Sequence, residues 1–399
     1  MSTQLKGRVA VGHLLRRAGF GADAATWETW AGLSYDEAVE RVLADLETPP
    51  AADPSGFDPH GVGAIQQTWL ERMLSAPVGL AEKLTLFWHG HFASSDAKLE
   101  DHELMWMQYK MLREKGAGSF RDLVLAISRD VAMVRFLDGN ANRNGHPNEN
   151  YGRELQELFT LGIGNYTEED IREISRAFTG WGTRHHTFVF RKHFHDEGEK
   201  TFHGKTGPFG GEEAVDILVA LPACATLIAG KLLRFFSHLD PTTAEVDELA
   251  KVMRTSKMHI KPTLAALFRS PSFRDARRYR ALVRGPTEFV VGALRTVGAE
   301  TVPEWIHGSL DRMGQILFNP PSVKGWTSGT GWLSSGAVVE RLRVAQKIAT
   351  ELARPEDADA VLEVALQGDV PPALADVLRG RKGTDRIATV LGGPEFQLS

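Results

Sequence analysis

The side chains best suited to chemistry gather in the middle of the chain. Nine of the 14 histidines fall between His89 and His203, under a third of the length. Imidazole titrates near neutrality and binds divalent metals readily. In Phe87-Trp88-His89-Gly90-His91-Phe92 two histidines stand two apart. On a helix they would diverge by about 200°, so a shared ligand requires extended backbone, which Gly90 permits. A helix ending at Trp88 would deliver both at its C-terminus, where imidazolium is favoured. His91 is the stronger site candidate, His89 the more structural of the two.

The segment 148–161 carries the second signal. Projected at about 100° per residue, Tyr151, Leu155, Leu158 and Phe159 form an apolar arc, while Asn150, Glu154 and Glu157 share a stripe with Leu161. Leu161 on that stripe argues for partial burial. Two carboxylates one turn apart in a low dielectric repel, so a cation neutralises them or one holds a proton. Arg153, an imidazolium or a metal ion would serve. The plainer alternative is Arg153–Glu157 as a surface pair one turn apart. Thirdly, Phe188, Phe190 and Phe194 alternate with Val189, Arg191, His193 and His195. Asp196-Glu197-Gly198 offers a turn, and 200–203 a return. This predicts a β-hairpin near residues 187–203. With the phenylalanines on the core, His193 and His195 share the other face, and His195 and Asp196 beside His203 supply metal ligands or a carboxylate-oriented imidazole.

Familiar catalytic signatures are missing. Gly204-Lys205-Thr206 looks like the end of a P-loop, but Glu199 stands where glycine is needed, and Pro208 interrupts the following helix. There is no H-E-x-x-H, G-x-S-x-G or dinucleotide fingerprint, so no nucleotide cofactor is indicated.

The elements that must position these groups are mostly helical. Val11, Leu14, Leu15 and Ala18 form one stripe closed by Gly19, and Ser34 starts another that ends before Pro49-Pro50. Residues 49–63, with four prolines and three glycines, read as a loop. Thr167 with Glu168, Glu169 and Asp170 marks a helix start. The reading is mainly α: a multi-helical, bundle-like architecture with one small inserted hairpin, as one large domain over 1–399. Its sub-regions are 1–80, a site-bearing 81–240, and 241–399.

Composition agrees with a globular chain: 399 residues, 42% hydrophobic and 24% charged, with 46 Lys and Arg against 51 Asp and Glu. No basic run implies a nucleic-acid partner. Cys224, the one cysteine, reads as a core filler. The longest apolar stretch, 217–230, is short of the roughly 20 residues that span a bilayer and contains Pro222. Without a visible signal peptide, a cytoplasmic location is expected.

Taken in order, these segments resemble the bacterial family catalogued as domain of unknown function 1800. The resemblance rests on His13-Leu-Leu-Arg-Arg-Ala-Gly-Phe-Gly21, Leu86-Phe-Trp-His-Gly-His-Phe92, the block from Pro147 to Gly162, and Tyr166-Thr-Glu-Glu-Asp170. It continues with Ala177-Phe-Thr-Gly-Trp181, His195-Asp196 with Lys200-Thr-Phe202, and Pro321-Ser-Val-Lys-Gly-Trp326. It implies a largely helical fold and, for many relatives, a twin-arginine export signal. The family's recognisable polar positions land on His91, Asn148, Asn150, Arg153, Glu154, Glu157, His195, Asp196 and Lys200.

The resulting expectation is a metal-dependent enzyme, hydrolysis slightly favoured. His91, Glu154, His195 and Asp196 would ligate a divalent Zn, Mn or Fe, and Glu154, Glu157, Arg153 and Lys200 would act on an unidentified substrate. One alternative is a helical iron-carboxylate oxidoreductase, weakened by the missing Glu-x-x-His spacing. The other is a non-catalytic scaffold or carbohydrate-binding protein with a buried polar network and Trp181, Trp326 and Trp332 as packing or stacking anchors.

Overall fold

A computed structural model describes residues 4–399. Among them are 22 α-helices and two two-stranded antiparallel sheets, so the mainly helical reading holds. The local reasons are those of the sequence. Ser34 caps Tyr35–Ala44 and Thr167 caps Glu168–Ala177, each in a reciprocal capping box with the acid three residues on. The stripe Val11, Leu14, Leu15 and Ala18 is buried in Gly7–Ala18, which ends at Gly19.

The apolar side chains form two clusters. One gathers Gly7–Ala18, Phe120–Arg129, the 149–160 segment and Pro222–Phe236, with Cys224 as a buried filler. The other gathers Val62–Ser75, His102–Lys115, Pro286–Thr296 and Ser335–Glu351. The helix Leu80–His91 supplies side chains to both, and nearly every residue on it is buried. Because this helix runs through His91 instead of stopping at Trp88, the two histidines diverge. His89 meets Trp69 and Phe318 on one face, and His91 meets Phe92 and Phe159 on the other.

The strand region differs from expectation in its pairing. β1 (Trp181–Arg184) pairs with β2 (Thr187–Phe190), and β3 (Lys200–Phe202) pairs with β4 (Lys205–Gly207). Two short hairpins therefore replace one long one. His203 and Gly204 both adopt positive φ, the two-residue turn that matches strand twist. Asp196-Glu197-Gly198 instead closes a side-chain turn, with Asp196 Oδ1 accepting from the Gly198 N–H at 2.9 Å. Phe188 packs on Trp181, but Phe190 is 51% exposed, so the three phenylalanines do not share a core face.

Among the described residues no single helix is long and apolar enough to cross a membrane; Gly211–Ala220 and Pro222–Phe236 reach that length only together, bent by 72°.

Candidate functional site

The helix begun at Asn148 changes character midway. Glu149–Glu154 is α-helical, and Leu155–Thr160 is a π-helix. Widening the turn strands backbone carbonyls at its end, and such turns recur at functional sites. Two side chains from other helices take up these carbonyls. His91 Nε2 donates to Phe159 O at 3.1 Å, and Lys231 Nζ donates to Leu158 O at 2.9 Å.

These two side chains also meet each other. Lys231 Nζ lies 2.9 Å from His91 Nδ1. Because Nε2 faces a carbonyl, which only accepts, the ring proton sits on Nε2, and Nδ1 accepts from the ammonium. Burial holds His91 neutral, its pKa pressed well below the ordinary value, with Lys231 adding to the effect. Burial, followed by Arg234, brings Lys231 down to about 8.

Both line a cavity of about 300 Å³ enclosed by Leu80–His91, Pro222–Phe236 and the loop bearing Lys324, Trp326 and Trp332. Lys231, Arg234 and Lys324 face it, against one carboxylate side chain, Glu288, already paired with Lys83 at 2.6 Å. The Trp326 Nε1 donor is buried without an acceptor. Gly325 is what allows the loop to close. Its φ is +77°, and a Cβ there would stand 2.2 Å from the Gly90 carbonyl oxygen. The glycines of His-Gly-His and Lys-Gly-Trp are thus two sides of one contact.

Of the expected site residues only His91 lines this cavity; Arg153, Glu154 and Glu157 lie on the 149–160 segment outside its lining. Glu154 has no hydrogen-bond partner among the described residues. Its carboxyl is pushed up by burial and by Glu157, while Lys324 on the cavity wall pulls the other way. Glu157 Oε2 accepts from the Tyr166 hydroxyl at 2.5 Å. Arg153 turns to Glu168 at 2.8 Å and Glu149 at 3.3 Å, not to Glu157. His195, Asp196 and Lys200 belong to a separate clip. Arg176 binds Asp196 at 2.8 Å, His195 Nδ1 is 2.8 Å from Thr179 O, and the fully buried Lys200 donates to Asp196 O at 2.6 Å and Gly198 O at 2.9 Å. His203 ties this clip to the π-helix through Gln156 at 2.8 Å.

His91, Glu154, His195 and Asp196 are not brought together here. Both nitrogens of His91 are engaged and Asp196 faces a guanidinium. Among the described residues no three His, Cys, Asp or Glu side chains form a group that could hold a metal ion. Lys231 escaped the sequence reading altogether. Its signal was a cation on a largely apolar helix: of its neighbours one turn away, Leu227, Ile228 and Phe235 are apolar and Arg234 alone is charged.

A mainly helical protein with a basic, tryptophan-walled cavity beside a π-helical turn is the class these observations define. The chain belongs to the family described as Protein of unknown function (DUF1800), whose model it matches over residues 13–398. No curated protein and no solved structure matches it.

Proposed function

We propose that this protein is an enzyme acting by acid–base chemistry on an anionic small molecule held in the cavity. The observation that carries the reading is Lys231: an ammonium brought down to about 8, on the wall of a basic cavity and aimed by two acceptors. A group poised near the working pH both gives and takes a proton efficiently. His91 Nδ1 and Leu158 O hold two of its N–H bonds, leaving the third for a ligand. Arg234 and Lys324 attract the anion, and the Trp326 and Trp332 side chains wall it.

The test joins titration to binding. Lysines reductively methylated with carbon-13 report Lys231 as one resonance, absent from Lys231→Met, with a midpoint near 8. A panel of small carboxylates and phosphate esters is then screened by thermal shift. Hits that stabilise the native chain but not Lys231→Met support the reading. An ordinary lysine midpoint, or hits indifferent to the substitution, would end it.

A second reading keeps a divalent metal. Glu154, unpartnered and raised by burial and then by Glu157, is a carboxylate whose charge a cation would relieve. Metal-assisted hydrolysis would then use water bound near Glu154 and Glu157. Stoichiometric Zn, Mn or Fe that disappears in Glu154→Gln supports this version, and metal content unaffected by Glu154→Gln removes it.

A further inference from the structure

A second concentration of positive charge lies behind the cavity wall, inside the protein. Arg16 and Arg17 of Gly7–Ala18, Lys83, Arg284 and Arg341 are between 1% and 4% exposed. They act on one another: Arg16 and Arg284 on Arg17, and Arg16 and Arg341 on Arg284, with Glu288 acting on both Arg17 and Arg284. Lys83 Nζ donates to Arg16 O at 3.1 Å and pairs with Glu288, whose Oε2 accepts from the Gly285 N–H at 2.7 Å. Arg341 Nη2 donates to Arg284 O at 2.7 Å. The Arg284 guanidinium crosses Pro286–Thr296 at Gly292, where a Cβ would stand 2.8 Å from Arg284 Nη1 and 3.0 Å from Phe20 O. That glycine leaves room for a guanidinium beside the end of Gly7–Ala18.

The charges do not balance. Five buried cations share one carboxylate side chain, Glu288, which is taken by Lys83. Among the described residues Arg16, Arg17, Arg284 and Arg341 have no carboxylate oxygen within ion-pairing distance; Asp369 acts on Arg16 from farther off. Guanidinium N–H groups are also left over. Nε and Nη2 of Arg16 and Nε and Nη1 of Arg17 are buried without acceptors. Buried donors in native proteins nearly always find a partner, and an uncompensated buried charge is costlier still. Burial and mutual repulsion bring Arg17 and Arg284 down only to about 9, so both stay charged at neutral pH.

We infer that an oxyanion of the phosphate or sulfate class binds between Gly7–Ala18 and the 284–288 segment, held by the guanidinium groups of Arg16, Arg17 and Arg284. Planar guanidinium forks match tetrahedral oxyanions, and a dianion offers acceptors to the orphaned N–H groups while lowering the net charge. Glu288 lines the cavity and also acts on Arg17 and Arg284. The anion is therefore either a resident free ion or the charged end of a molecule entering past Glu288. The site stands whether or not Lys231 performs acid–base chemistry.

The protein is prepared in chloride buffer and titrated with inorganic phosphate, sulfate and phenyl phosphate, each against sodium chloride at matched ionic strength. Anions released on denaturation are counted by ion chromatography. The expected result is either about one oxyanion released per chain, or thermal stabilisation by phosphate or sulfate that grows with the logarithm of concentration, beyond the effect of chloride. Arg17→Met and Arg284→Met should each weaken phosphate at least fivefold. Phenyl phosphate matching inorganic phosphate assigns the site to a ligand's charged end; inorganic phosphate alone stabilising assigns it to a free ion. Equal stability in phosphate, sulfate and chloride with no anion released overturns the proposal, and so does Arg17→Met retaining the full phosphate effect. The native-chain titration decides even where a variant fails to fold.

Discussion

At the scale of single residues, the Lys231–His91 contact makes predictions with opposite signs. The imidazole accepts from the ammonium and so favours its charged form, while Arg234 disfavours it. His91→Phe removes the acceptor and should carry the Lys231 midpoint below 8, whereas Arg234→Gln should carry it upward. The methyl-lysine titration reads both. A midpoint unmoved by either change would mean that Lys231 is solvated by something other than these neighbours. The same logic marks Glu154 and Glu157 as unequal partners. Glu157 has the Tyr166 hydroxyl and Glu154 has nothing, so burial and repulsion act on Glu154.

At the scale of elements, the loop that closes the cavity depends on one glycine. Gly325→Ala meets a left-handed backbone and the Gly90 carbonyl together. The conformation alone costs about 1–2 kcal/mol, and the overlap forces the loop outward. Loss of about 2 kcal/mol in urea unfolding and a red-shifted tryptophan emission are expected; unchanged emission would show that the loop absorbs the side chain. The clip around Lys200 behaves differently. Lys200→Met keeps most of the buried volume but strands two carbonyls, Asp196 O and Gly198 O, at about 2–4 kcal/mol in all. The Lys231 midpoint should not move, because no residue of the clip touches Lys231 or lines the cavity. Helix starts were legible in the sequence because capping is local: Ser34 with Glu37 and Thr167 with Asp170 need no partner from elsewhere. Phe188 and Phe190 do mark a strand, but it pairs backward with Trp181–Arg184. Phe194 falls in a short helical turn, and the second hairpin turns at His203-Gly204; the alternation of phenylalanines reveals none of this. Glu154 and Glu157 were rightly paired, but a 3.6-residue projection carries no sign of a π-turn, whose stranded carbonyls are met by His91 and Lys231 from distant parts of the chain. His91, singled out by its type and motif, lines the cavity. Lys231 was missed because a lysine in an apolar helix looks like a solvent anchor until the opposite wall is known.

At the scale of the whole molecule, buried histidines set the acid limit of the fold. His13, His89 and His91 are each at most 5% exposed, and burial keeps all three neutral, His89 down to about 3. In the unfolded chain each takes a proton near pH 6.5, so the unfolded state binds more protons below that value. The stability they contribute is therefore complete above about pH 7 and is lost as pH falls through 6.5. Between pH 7.5 and 5.5 each contributes a loss of about 1.4 kcal/mol, or about 4 kcal/mol together. Asp130 acts oppositely. Burial pushes its carboxyl up to about 6, so the folded chain holds a proton that the unfolded chain releases, returning about 1 kcal/mol over that interval. His203, His238 and His307, also lowered mainly by burial, add to the loss. Urea unfolding at pH 7.5, 6.5 and 5.5 should register a net fall of at least about 3 kcal/mol, most of it below 6.5. His89→Gln separates this cause from general charge repulsion. It keeps an acceptor for the Phe318 N–H, 3.0 Å from His89 Nε2, and removes one titrating group, so about 1.4 kcal/mol of the loss should vanish. A variant that is as acid-sensitive as the native chain would assign the effect to surface charge, and the buried imidazoles would then not govern where the fold gives way.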